Sequence, residues 1–256
     1  MSVLAWLGAM SIGVSLGLLG SGGSILTVPV LVYLIGQDEK LAIAGSLAIV
    51  GSIALAGSLP YLKKKLVDWR IVILFGLPGM AGTYLGAWLA TWVSGLVQLA
   101  LFAVVMLLAS WQMLKPVVLD DTPHEPREVW KIGLDGLFVG VLTGLVGVGG
   151  GFLIVPALVL LGGLTMHRAV ATSLVIIALK SFTGFWKYLD VLETQGLVLD
   201  WHVIVIVTAL GVAGSFIGSR IAGRVDQHKL RKVFGFFLIV MGIYILARTL
   251  PSVWPF

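Results

Sequence analysis

The sequence has no cysteine and few charged residues. The missing cysteines exclude disulfides, thiolate metal sites and cysteine nucleophiles. Only 11% of the 256 residues are charged, whereas 59% are hydrophobic. A soluble globule of this size could not bury so many apolar side chains. The composition therefore predicts a polytopic membrane protein in contact with the lipid bilayer.

Sequence motifs of several catalytic classes are also missing. The chain contains neither a G-x-x-x-x-G-K-[ST] phosphate-binding stretch nor an H-E-x-x-H metal motif, and its predicted apolar segments contain no paired carboxylates. ATP hydrolysis by this chain alone and intramembrane catalysis are therefore not expected, and we predict no catalytic residue, metal or cofactor. A purely scaffolding role gains no support either, because no large extramembrane region is apparent.

One stretch of sequence occurs twice. Residues 17–29 read GLLGSGGSILTVP and residues 144–156 read GLVGVGGGFLIVP, with eight of thirteen positions identical at an offset of 127. The match continues to Tyr61 and Tyr188, then resumes at an offset of 132 from Asp68 and Asp200. We predict two related repeats, 1–115 and 131–256, joined by a cytoplasmic linker at 116–130.

Each repeat contains five apolar segments. Most have the roughly 20 residues that a helix needs to cross about 30 Å of hydrocarbon. The second segment of each repeat is shorter and corresponds to about 20 Å of helix, which predicts a half-helix in a broken or re-entrant pair with the preceding segment. Ten spans, or eight spans with two re-entrant hairpins, remain open. The predicted segments are 3–20, 24–36, 42–60, 70–92, 97–115, 131–148, 152–164, 168–188, 201–222 and 232–250.

The basic residues predict the orientation of the repeats. Loop 61–70 is basic, whereas the equivalent loop 189–200 is acidic; loop 220–232 is basic, whereas the equivalent residues 91–98 are uncharged. Because basic loops tend to be cytoplasmic, equivalent loops are predicted on opposite sides of the membrane. The fold prediction is thus an all-α membrane protein with two inverted-topology repeats and both termini outside.

The repeated glycine-rich stretch predicts a polar place inside the protein that is shielded from lipid. A broken helix leaves backbone groups unpaired, and a membrane protein tolerates this only where protein covers them or a polar cavity is present. Half-helices starting at Ser24 and Gly151 would direct free N–H groups and a positive dipole end into that place, which favours an anion near the midplane. The alternative is that small residues merely allow close helix packing, the interpretation we favour for isolated G-x-x-x-G pairs.

The third segment of each repeat adds polar groups. Its hydroxyls either donate to an oxyanion or bond back to their own helix. Lys180 lies near the middle of its segment, where a charge costs on the order of 3 kcal/mol on insertion scales. It could bind an anion, snorkel or pair with Asp135. The predicted substrate-binding residues are Gly20, Ser21, Gly22, Gly23, Ser24, Ser46, Gly147, Gly149, Gly150, Gly151, Thr172, Ser173 and Lys180.

Over nearly its whole length, the sequence resembles the sulfite exporter TauE/SafE family. The resemblance rests on the doubled G-x-x-G-x-G-G stretch, the Ser-Leu pairs beginning at Ser46 and Ser173, and the Asp-Trp pairs beginning at Asp68 and Asp200. It implies a secondary transporter that exports sulfite or an organosulfonate across the cytoplasmic membrane.

Three functional alternatives and the oligomeric state remain open. An inside-negative potential contributes about 2.3 kcal/mol per 100 mV for each exported negative charge, so alternating-access export can proceed without a coupling ion. A small-anion channel is one alternative. A proton-coupled exporter of another small anion, using Asp135, His167 or His202, is a second, and membership of a homo-oligomer is compatible with all of them. Nothing in the sequence predicts a nucleic-acid partner.

Overall fold

The computed structural model describes residues 3–19, 22–114, 128–147, 151, 154–155, 158, 164–222 and 227–253. All regular elements within these ranges are helical. Two of them are composite: α2 consists of Gly22–Leu26, Thr27–Pro29 and Val30–Leu34, and α4 of Trp69–Ile71, Val72–Gly76 and Leu77–Leu89. The others are α1 (Val3–Leu19), α3 (Glu39–Lys63), α5 (Gly95–Leu114), α6 (Val129–Val146), α7 (Met166–Thr194), α8 (Trp201–Ala222) and α9 (Gln227–Val253).

These helices match nine of the ten predicted apolar segments. Most of the tenth segment, 152–164, and most of the predicted linker, 116–130, lie outside the described residues. By length and composition, four described helices can cross a membrane, namely Glu39–Lys63, Trp69–Leu89, His167–Thr194 and Trp201–Ile221. Shorter apolar helices accompany them. The prediction of an all-α polytopic membrane protein is confirmed.

Helix α2 is short, as predicted, and runs back along α1. A β-carbon added to Gly8 of α1 would lie 2.9 Å from Leu34 and 3.1 Å from Val30, both in the last part of α2. Pro29 marks the change from α- to π-helical hydrogen bonding. Proline has no N–H to donate, so residue 29 adds no bond to the helical ladder. Beyond it, Ile35 N–H bonds to Val30 O at 3.1 Å, which is a π-helical contact.

Two close helix pairs join the halves of the chain. α1 packs parallel to α8, with Gly13 against Gly211 and Gly17 against Ser215. α4 packs parallel to α6 through the residues equivalent by the repeat offsets, which are Gly79 against Gly140 and Thr83 against Gly144. Each pair brings one helix from the first half against one from the second, and small residues allow the backbones to touch.

Helices α3 and α7 cross at the centre of the molecule and run antiparallel. Leu47 of α3 lies against Gly184 of α7, Gly51 against Ser181, and Gly57 against Leu174. Residues 42–51 of α3 are all buried. The remaining pair, α5 and α9, packs on the outside, with Leu107 against Gly242.

The outer surface is strongly apolar. Large hydrophobic side chains on five different helices are at least 60% exposed, namely Leu4, Leu108, Phe138, Val205 and Phe236. Water would not favour this arrangement, whereas lipid tails accept it without cost. The hydrophobic composition is thus divided between a buried centre and a surface suited to the bilayer.

Candidate functional site

Gly147 ends α6 in a conformation that favours glycine. Its φ of +75° is left-handed, and its N–H bonds to Thr143 O at 2.8 Å. A β-carbon at this position would also lie 3.0 Å from the Cα of Ile43 on α3. The backbone angle and the close approach to α3 therefore both require a residue without a side chain.

Ser46 joins α3 to this glycine. Its Oγ lies 2.7 Å from Ile43 O and also within hydrogen-bonding distance of Gly147 O, so its proton can be donated to either carbonyl. A serine of the first half thereby contacts the glycine stretch of the second half. In the equivalent position, Ser173 donates to Val170 O at 2.9 Å. Its expected glycine partner, Gly20, lies outside the described residues.

Lys180 is fully buried on α7. Its Nζ donates to Thr143 Oγ1 at 3.3 Å and lies 5.9 Å from the centre of the Phe75 ring. Both groups are uncharged, and no described carboxylate forms an ion pair with the lysine. The side chain therefore neither snorkels nor pairs with Asp135, the two alternatives to anion binding. Through Thr143, the ammonium group is one helical turn from Gly147.

The predicted hydroxyl donors do not converge on one point. Ser46 is eleven residues before Gly57, which packs beside Leu174 and hence next to Ser173. At about 1.5 Å per residue, this separation is about 16 Å along α3. Gly51 contacts Ser181, the neighbour of Lys180, and this contact lies about midway between Ser46 and Ser173. One small anion cannot contact Ser46 and Ser173 together in this conformation.

Thr172 takes part in a polar cluster at the far end from Ser46. Its Oγ1 accepts a hydrogen bond from Asp68 N–H at 3.0 Å. Asp68 Oδ1 in turn accepts from Ile71 N–H at 3.2 Å and so caps α4, while Asp68 Oδ2 lies 4.0 Å from Arg168 Nη2. Asp68 belongs to an Asp-Trp pair on which the family resemblance rests, but the sequence did not predict its contacts with α7.

The remaining predicted residues fall into two groups. Gly22 and Gly23 begin α2 two residues earlier than expected, while Ser24 and Gly151 are helical and buried. Four predicted residues lie outside the described part of the chain, namely Gly20, Ser21, Gly149 and Gly150.

A second buried polar contact was not predicted. Gln98 of α5 donates through Nε2 to Leu145 O at 2.6 Å and to the Tyr188 hydroxyl at 2.8 Å. Both side chains are fully buried and hold the last turn of α6, just before Gly147. An amide inside an apolar segment was the available signal, because such residues in a membrane usually face the protein interior.

Comparisons with known proteins identify the family of this chain. The family model described as "Sulfite exporter TauE/SafE" matches residues 5–245. The chain belongs to this family. It is 31% identical over 248 residues to a probable membrane transporter protein of Xylella fastidiosa (strain Temecula1), covering 94% of this chain and 93% of the relative. A probable membrane transporter protein of Methanocaldococcus jannaschii is 27% identical over 250 residues, with 92% and 93% covered.

The TauE/SafE assignment confirms the family predicted from sequence. Together with the apolar helices, it indicates a multi-pass membrane transporter rather than an enzyme. No solved structure matches the chain. A transporter must hold its cargo inside the protein, so the buried polar groups around Gly147, Lys180 and Thr172 are the candidate cargo contacts.

Proposed function

We propose that this transporter exports a small sulfur-containing anion, such as sulfite or an organosulfonate, and that Lys180 is its central binding group. The observation that carries the proposal is the burial of Lys180 with a hydroxyl and an aromatic ring as its described partners. A lone charge at this depth costs on the order of 3 kcal/mol on insertion scales. A bound anion supplies the missing opposite charge.

Hydroxyl groups lie on either side of Lys180 along the proposed path. Ser46 and Gly147 lie toward one end, and Thr172 and Ser173 toward the other. Their separation of about 16 Å along α3 is longer than a small anion, so we place Lys180 as the midpoint of a stepwise path. We also assign to this path the backbone N–H groups of the first turn of α2, which begins at Gly22.

Inverted repeats and alternating access complete the proposal. The antiparallel crossing of α3 and α7, and the equivalent contacts in the α1–α8 and α4–α6 pairs, support two copies of one unit in opposite orientations. We assign the basic loop 61–70, and with it the Thr172 end, to the cytoplasm. An exchange of packing between the two repeats would then expose Lys180 to each side in turn.

No coupling ion is required in this mechanism. An inside-negative potential adds about 2.3 kcal/mol per 100 mV for each negative charge that leaves the cytoplasm. The chain has only to provide a path with a saturable site, and the gradient and the potential set the direction.

Flux into proteoliposomes tests the role of Lys180. Lys180→Ile introduces the residue found at the equivalent position of the first repeat, Ile53, and we expect it to reduce sulfite or methanesulfonate flux at least tenfold. Lys40→Met is the matched control, since Lys40 is also buried but donates to Ala90 O at 3.2 Å. Equal loss in both variants, or full flux in Lys180→Ile, would remove Lys180 from the path.

A further inference from the structure

We propose that Arg168 captures the anion at the Thr172 end of the path, and that the Asp68 carboxylate occupies this arginine until the anion displaces it. The inference rests on the proposed function and adds a residue that the sequence did not indicate. It also predicts that the transporter binds the anion with different affinity on its two faces, because the position equivalent to Arg168 in the other repeat is not an arginine.

The contact between Arg168 and Asp68 is loose enough to be exchanged. The two charged atoms are 4.0 Å apart, and the side chains are 48% and 25% exposed, respectively. Ion pairs with this exposure contribute little to stability. Asp68 also keeps two other anchors, its carboxylate bond to Ile71 N–H and its own N–H bond to Thr172. Loss of the arginine contact therefore leaves the loop and the cap of α4 in place.

Arg168 and Thr172 are placed to hold one anion together. They are four residues apart on α7 and so lie on the same face of the helix. Thr172 is fully buried and accepts a bond from Asp68 N–H, which leaves its hydroxyl proton as a donor. The planar guanidinium group of Arg168 matches two oxygens of a sulfur oxyanion. An anion bridging these two residues would lie between solvent and the interior.

In the other repeat, the equivalent positions on α3 carry neither an arginine nor a threonine. At the repeat offset of 127, Leu41 corresponds to Arg168 and Gly45 to Thr172. Asp200 corresponds to Asp68 and caps α8 in the same way, accepting from His202 N–H at 3.0 Å and from Val203 N–H at 3.2 Å. The acidic cap is thus present in both repeats, whereas the basic residue and the hydroxyl at these two positions are present on α7 and not on α3.

This asymmetry affects the KM on each face and not the direction of transport. For an uncoupled transporter at zero potential, kcat/KM must be equal on the two faces, because the equilibrium ratio of concentrations is one. A better binding group at one end therefore lowers KM on that face. The gradient and the potential alone determine the direction of net flux.

The test measures KM for methanesulfonate and sulfite from each face of proteoliposomes with oriented protein. Asp68→Asn keeps a capping side chain and removes the competing charge, and we expect KM to fall about two- to fivefold on the Thr172 face. Arg168→Leu, which introduces the residue of the other repeat, should raise KM on that face about tenfold, and Arg168→Lys should be intermediate. KM on the other face should change less than twofold.

Asp200→Asn provides the matched control, because it alters an equivalent cap with no arginine opposite, and KM should be unchanged on both faces. Unaltered KM in Asp68→Asn and Arg168→Leu, with flux still dependent on Lys180, would overturn this inference and leave the proposed function standing. Equal changes in KM on both faces would also overturn it. Absence of flux in the folded wild-type protein would overturn both.

Discussion

At the residue scale, the proposed role of Lys180 in anion binding rests on its burial beside uncharged partners. A buried ammonium group with uncharged partners is costly on its own, and an anion offsets that cost. We therefore expect Lys180→Ile to unfold at the same or a higher temperature than wild type in detergent, because an apolar side chain replaces a buried charge.

The rise in Tm when an anion is added measures binding separately from the effect of Lys180→Ile on the stability of the anion-free protein. With an anion at a hundred times its Kd, wild-type protein should gain about 2.7 kcal/mol, seen as a higher Tm. Lys180→Ile should show little of this gain. An equal anion-induced rise in Tm for both proteins would place the binding site elsewhere.

Gly147 provides a second prediction at this scale. Gly147→Ala strains a left-handed backbone and also places a methyl group 3.0 Å from Ile43 Cα and Cβ, so we expect a loss of about 3 kcal/mol in unfolding free energy. Gly196→Ala is the control, because its φ is +64° but no atom lies within 4 Å of the added methyl. It should cost only about 1–2 kcal/mol. Equal losses would mean that the contact with α3 is unimportant.

At the element scale, the close pairs α1–α8 and α4–α6 join the two halves. Gly140→Ala would place a methyl group 3.0 Å from Gly79 C and Thr83 N, and we expect it to destabilise the protein by about 1–3 kcal/mol. Gly57→Ala has its nearest neighbour, Leu174, at 3.9 Å and should be neutral or stabilising by up to about 1 kcal/mol. Thermal unfolding in one detergent compares them. A tolerated Gly140→Ala would contradict the close packing.

The sequence predicts where the helices lie along the chain better than it predicts which helices pack together. Hydrophobic segments and glycine breaks are local properties, and they placed the nine described helices within six residues of their observed bounds. A G-x-x-x-G pattern shows that some helix approaches closely, but not that α1 approaches α8. The Asp68–Thr172 and Gln98–Leu145 contacts were missed for the same reason, since each joins residues that are distant in sequence and meet only after helix packing.

At the scale of the whole molecule, the absence of cysteine allows a direct test of the inverted repeats. Lys64 and Val198 are exposed in the equivalent loops after α3 and after α7. In intact cells, Val198→Cys should react with an impermeant maleimide, whereas Lys64→Cys should react only after the membrane is opened. The cysteine-free parent reports background labelling. Labelling of both positions from one side would contradict the inverted arrangement.

The most direct test of the central claim is anion flux through the purified wild-type protein in liposomes, with an imposed potential of either sign and no pH gradient. The account predicts saturable flux of sulfite or a sulfonate whose direction reverses with the potential. Flux that appears only when a pH gradient is imposed, or that fails to saturate with concentration, would contradict uncoupled export through a single buried cationic site.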